Sequence, residues 1–249
     1  MNKKAILNFI LPIVAVAFII AVWAISASVI DNEYILPSFS ETVKSVFELF
    51  GDGKFYLSFS LTLFRSIIAF LFSFIIAFLL AILSEKFSQA ERVIAPIISI
   101  TRALPTIAVI LLLLFWTNSL IAPIVVTTLV VLPTEDTHLR SAFGALDKTV
   151  LEAGRVDGAD EKRVFYYIQL PLTLPAIYRG IGSGISLNFK LMVAAEVLAQ
   201  TANSIGFMLS TSKAYFEIAQ MMALVVVAVI FGVVVEAIFN RLSKKAFDF

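Results

Sequence analysis

The chain has 249 residues, 60% of them hydrophobic and only 15% charged, with a formal net charge of +1. So apolar a composition excludes an ordinary soluble domain and marks a membrane protein, and the near-neutral balance offers no general basicity toward nucleic acid. The absence of cysteine and the single histidine, His138, exclude disulfide frameworks, thiol nucleophiles, Cys-based zinc sites and histidine clusters.

Six hydrophobic runs approach the roughly 20 residues that a helix needs to cross a bilayer. They cover about 5–29, 57–84, 93–116, 119–134, 173–199 and 214–240, with Pro96, Pro105 and Pro123 interrupting the middle of the set. The first run has the basic start of a signal peptide in Lys3 and Lys4 and small residues at Ser26, Ala27 and Ser28. Its apolar core is too long for that, so it reads as a span. The whole chain, 1–249, reads as a single all-helical transmembrane domain.

After Pro37 a short amphipathic helix is expected over about 37–50, with Phe39, Val43, Val46, Phe47 and Phe50 on one face and Ser38 and Glu41 at capping-box spacing. It would lie on the membrane surface, either as a connector or as a docking point for a partner. The string from Gly51 to Lys54 reads as a turn into the second run.

Charged residues inside the runs cost about 2.5–3.5 kcal/mol each at a helix centre on insertion scales, so they face protein or water. They include Arg65, Arg102, Lys190 and Glu196, with Glu135, Asp136 and His138 at the end of the fourth run. Between the fourth and fifth runs lies a long polar loop. Asp147 is placed to cap a helix, helical periodicity runs on both sides of Gly158, and Pro171 requires the helix before it to end or kink. Two short helices with a glycine hinge are expected.

With the N-terminus inside, the inner segments carry Lys3, Lys4, Lys86, Arg92, Arg140, Lys148, Arg155, Lys162, Arg163, Arg241, Lys244 and Lys245, whereas the outer segments carry only Lys44, Lys54 and Lys213. The positive-inside rule then predicts both termini and the polar loop in the cytoplasm.

Within that loop Glu152, Ala153 and Gly154, then Gly158, then Ile168, Leu170 and Pro171 fall at the spacing of the cytoplasmic E-A-A signature shared by permease subunits of ATP-binding-cassette importers. The chain resembles that family, with Gly154 in place of the second alanine. ILPSFSETV near Ile35, SLTLFRSIIAF around Arg65, ITRALPTIAVILLLLFW from Ile100 and VAAEVL from Val193 look like the subgroup importing sulfonates, taurine, nitrate and related anions, or pyrimidine precursors of thiamine.

The resemblance implies a type I importer transmembrane domain in the bacterial cytoplasmic membrane. It would pair with a second copy, two ATPase subunits beneath and an extracytoplasmic solute-binding protein. It implies that residues 147–171 form the coupling segment seated on an ATPase, with Glu152, Ala153, Gly154, Asp157, Gly158, Ala159, Asp160, Leu170 and Pro171 at or near the contact. No G-x-x-x-x-G-K-[S/T] phosphate loop occurs in the chain, so ATP and magnesium would be bound by the partners, and no catalytic residue, metal site or resident cofactor is expected. The string from Arg179 to Ser186 reads as a small-residue packing face rather than a dinucleotide fingerprint.

The expected substrate-path residues are Arg65, Arg102, Asn188, Lys190 and Glu196. Arg65 and Arg102 have either a structural duty, pairing with carbonyls or carboxylates, or substrate contact. Lys190 either faces the translocation cavity and accepts an anionic group with Asn188, or pairs with Glu135 or Asp136. Those two acids would also suit a cationic or zwitterionic solute. The reading from another class is an ion-gradient-driven secondary transporter with Glu135, Asp136 and Glu196 as ion sites.

Overall fold

The computed structural model describes residues 3–247, and among them every regular element is helical. The side chains of Lys3, Lys4 and Lys148 lie outside what it describes. Helix α1, Lys3–Ile30, has no buried residue in its most apolar stretch, Ile13–Ile30. It meets the rest at its end, where the Trp23 indole donates to the Pro37 carbonyl (3.1 Å) and its ring meets Phe39 edge-on.

Helix α2, Phe39–Gly51, begins with the expected capping box: the Ser38 backbone N–H donates to the Glu41 carboxylate at 2.8 Å and the Ser38 hydroxyl accepts from the Glu41 N–H at 3.2 Å. Its buried residues are Thr42 and Leu49, while Phe47 is exposed. The phenylalanine-rich face is largely left outside the bundle, apart from Val46 and the edge of Phe50 against Phe55, and the other side holds the helix in place. Asp52 alone separates α2 from α3, Gly53–Lys86, and caps it through the Lys54 N–H.

The third run is not one straight helix. Helix α4, Ser88–Ala103, and α5, Thr106–Trp116, meet at 92°. The cause is Pro105, whose ring disfavours α geometry at the preceding residue, and Leu104 is accordingly extended (φ −65°, ψ 126°). The fourth run continues well past its expected end as α6, Ile121–Gly144, carrying Glu135, Asp136, His138 and Arg140 within the helix. The polar loop is therefore shorter than its composition suggests.

Beyond the loop, α9 (Leu170–Ala199) ends in a left-handed Gln200, α10 (Ile205–Ala214) was not anticipated from sequence, and α11 (Ile218–Phe247) completes the chain. Among the described residues four helices are long and apolar enough to span a membrane, and the bent α4–α5 pair, if one span, makes a fifth. The polar C-terminal half of α6 keeps it out of that set, where six spans were expected.

The central bundle is α3, α6, α9 and α11. Helix α3 turns Ala69, Ser73, Ala77 and Ala81 inward, and this small stripe permits close approach of α6, so that Ser73 donates to the Thr128 carbonyl (3.1 Å) and Thr128 to the Ala69 carbonyl (3.3 Å). Gly182 admits Phe239 of α11, and Gly184 admits Phe70 and Glu135. Phe189 sits fully enclosed, its ring 4.4 Å from Phe231 and 5.8 Å from Phe59. Each span pair is thus locked by side-chain shape, since hydrocarbon outside supplies no hydrophobic drive for helices to associate.

Candidate functional site

Residues 147–171 fold as two short helical pieces around a glycine. Asp147 accepts from the Thr149 N–H at 2.9 Å and starts α7, Lys148–Val156. That bond holds the Asp147 carboxyl below its ordinary range. Gly158 has φ +85°, a conformation that a side chain would strain, and it reverses the chain. Asp160 then caps α8, Glu161–Arg163, by accepting from the Arg163 N–H at 2.8 Å.

Across the reversal Arg155 grips Glu161 with two nitrogens, Nε at 2.9 Å and an Nη at 3.2 Å. The fork is exposed, so it sets the angle of the turn more than it stabilises it.

Helix α8 does not stop at Pro171. It runs through a π-helical turn, Val164–Gln169, into α9, with the Leu170 N–H reaching back five residues to the Phe165 carbonyl. Widening the helix by one residue ahead of Pro171 absorbs the donor that proline lacks, so the expected end or kink becomes a π-turn.

Gly154, the one departure from the E-A-A pattern, is half-buried beneath this turn: a methyl there would lie 2.5 Å from Cδ1 of Ile168. Glu152, Ala153, Asp157, Gly158 and Asp160 are exposed on the outer side, with Ala159 half-buried beside them. Leu170 is half-buried and Pro171 exposed where α9 begins. Val156 is 86% and Tyr167 79% exposed, and Tyr166 is exposed with them. An apolar valine and two tyrosines flanked by charges form a surface suited to another protein.

At the opposite end of the bundle, Arg65 of α3 and Glu196 of α9 form a buried pair at 2.8 Å. Thr62 donates to the other carboxylate oxygen at 2.8 Å, while its own oxygen accepts the Ile205 N–H at 3.0 Å. The Arg65 guanidinium also donates to the carbonyls of Ala202 (3.4 Å) and Asn203 (3.5 Å). One carboxylate and one guanidinium thus bind α3, α9 and the segment leading to α10.

Asn188 is enclosed against α3, bonded to the Ser66 hydroxyl at 2.8 Å. Arg102, at the α4–α5 bend, is exposed and donates to Thr137 (2.7 Å) and to the Pro133 carbonyl (3.3 Å).

Lys190 lies elsewhere on α9. It is exposed, with its stem across Gly232 of α11, and among the described residues it makes no hydrogen bond or ion pair. Asn188 faces α3, so the two do not act together here. Nor does Lys190 meet the acids of α6: Asp136 is paired with Arg140 at 2.8 Å, and a Glu135 oxygen lies 3.9 Å from Nδ1 of the His138 ring.

Helix α9 has one open face. Arg179, Lys190 and Ala194 are exposed on it and Ser183 and Leu187 half-buried, at the four- and three-residue steps of a single helical stripe. Sequence reading passed over Arg179 and also Glu236 of α11, which is exposed one turn from Gly232; Glu236 was detectable as a charge in the sixth run.

The family described as "Binding-protein-dependent transport system inner membrane component" matches residues 73–247. A riboflavin transport system permease protein of Chloroflexus aurantiacus is 24% identical over 51% of this chain, which spans 47% of that protein. A putative aliphatic sulfonates transport permease protein of Bacillus subtilis is 20% identical over 92% of this chain and 83% of its own.

Among solved structures, an amino acid ABC transporter crystallised with histidines superposes with a TM-score of 0.67 at 14% identity, over 77% of this chain and 94% of that one, a likeness of fold. The family match begins within α3 and takes in α6, the 147–171 segment, α9 and α11. This chain belongs to the binding-protein-dependent inner membrane component family: it is a multi-pass, non-catalytic permease of the ABC importer class.

Proposed function

We propose that this chain, as a single domain, forms half of the translocation path of an ATP-driven importer of a small polar solute, a sulfonate, taurine, nitrate-like anion or thiamine pyrimidine precursor. It works as a homodimer, with two ATPase subunits that bind ATP and magnesium and a binding protein that delivers the solute. The termini and residues 147–171 lie in the cytoplasm, in keeping with the distribution of Lys and Arg.

The observation that carries this reading is the exposed set Val156, Tyr166 and Tyr167 on a segment whose geometry is fixed by Gly158, the Arg155–Glu161 fork and the π-turn. An apolar surface on a braced segment, joined without a break to a membrane helix, transmits motion: displacement of α7 moves α9. Glu152, Ala153, Asp157, Ala159 and Asp160 supply the rim that fixes register. Arg65 and Glu196 keep the outer halves of α3 and α9 moving as one body, and Arg102 steadies the α4–α5 bend.

The test is co-purification with the ATPase subunits. Val156→Asp with Tyr167→Ala should abolish it while leaving the unfolding temperature of the isolated permease unchanged. Retained ATPase binding, or uptake that persists without any ATPase and collapses with the ion gradient, would place the chain among secondary transporters instead.

A further inference from the structure

We propose that Lys190 is the residue that selects for negative charge in the translocation path, so that the transported solute carries an anionic group. This rests on the permease reading and adds the substrate's charge to it. Lys190 is nine residues from the end of α9 at Ala199. At about 1.5 Å per residue this sets its Cα roughly 13 Å below that end, close to the middle of a hydrocarbon core about 30 Å thick.

Of the other charges packed within the bundle, Glu135 alone among the described residues lacks a close partner, and it is enclosed beside the His138 ring at 3.9 Å, not open to a passage. Arg65 holds Glu196 and Asp136 holds Arg140, while Lys190 is exposed and unpaired. A lysine at that depth facing lipid would cost about 2.5–3.5 kcal/mol, so its face is one that meets water.

The surroundings agree. The open face of α9 mixes Arg179, Ser183 and Ala194 with a half-buried Leu187, whereas α1 is covered by large aliphatic residues. Gly232 of α11 provides the notch over which the Lys190 stem lies: a methyl at Gly232 would come within 3.3 Å of Lys190 Cε and 2.7 Å of the Ser186 hydroxyl oxygen. The stem is thereby held against α11 while the ammonium is left to the open side. Glu236, the acidic group further along α11, is exposed and forms no ion pair with Lys190. An unneutralised cation at that depth in a low-dielectric passage raises the local concentration of anions and lowers that of cations, and Arg179, the other exposed cation of the stripe, lies about three turns nearer the start of α9.

The chain contains no cysteine, so a thiol introduced into it is unique within it. Ala194→Cys, one turn from Lys190, and Ser183→Cys, two turns away on the same stripe, are each reconstituted in vesicles with the ATPase subunits. Each is then treated with two thiosulfonate reagents of similar size, one ending in a sulfonate and one in a trimethylammonium group, and modification of this chain is followed by mass.

With Lys190 present the sulfonate reagent should modify Ala194→Cys roughly tenfold faster than the cationic one relative to their rates with free thiol. Lys190→Gln should remove the preference and Lys190→Arg should keep it, with a weaker preference at Ser183→Cys. Equal relative rates in the Lys190 protein, as a carboxylate from the second copy neutralising the lysine would give, would overturn the charge selection and leave the path intact. Failure of both thiols to react with either reagent would show the stripe to be sealed from water and would remove the path along with the proposal.

Discussion

Glu196 is fully enclosed yet has three donors: Arg65 and Thr62, each at 2.8 Å, and the Gly206 N–H at 3.5 Å. A buried ion pair gains little over hydrocarbon, but losing one partner strands the other charge. Arg65→Leu or Glu196→Leu alone should therefore cost about 3–5 kcal/mol, read as a large drop in unfolding temperature in detergent, whereas the double variant should recover much of the loss. Gly154 shows the opposite economy. Alanine there gains about 1 kcal/mol of helix propensity, and the obstruction is only the flexible tip of Ile168. Gly154→Ala should change stability little, and Gly154→Leu should lower both stability and coupled ATPase activity. Arg65 and Glu196 stood out in sequence as charges within apolar runs, but nothing local could pair residues 131 positions apart.

The α4–α5 bend ties a helix break to a hydrogen bond. Pro105 breaks the run, and Arg102 at the bend reaches α6 at Thr137 and Pro133. Pro105→Ala removes the restraint on Leu104, so residues 88–116 should straighten, which distances between spin labels placed at positions 92 and 115 would register as a lengthening. Unchanged distances would mean that packing, and not the proline, holds the bend. The proline was legible in sequence, but its effect was not, because membrane helices often carry proline with only a kink. The same limit applied at Pro171, where a π-turn replaced a break, and at α2, where the pattern marked the phenylalanine face but not Thr42 and Leu49 as the buried contacts. Amphipathic pattern reports which face is greasy. Near a bilayer either face can be greasy, one toward lipid and one toward protein.

For the molecule as a whole, α1 adds little to the bundle, since its apolar stretch buries nothing and its ties are Trp23 to Pro37 and Phe39. Deleting residues 1–30 should leave the unfolding transition of the remainder within a few degrees of the full chain, and a collapse of that transition would show that α1 braces the fold. Composition alone established a helical membrane protein, because residues so uniformly apolar leave helices as the way to satisfy backbone groups away from water. Asp147 and Gly158 marked the capped helical pieces and the reversal between them, because a turn and its caps are dictated by neighbours in the chain. Which charges are silent and which remain free was settled by packing. Arg65, Asn188 and Glu196 turn toward α3 and α9, and Lys190, two residues from Asn188, turns to the open face, a choice made by contacts between helices far apart in sequence.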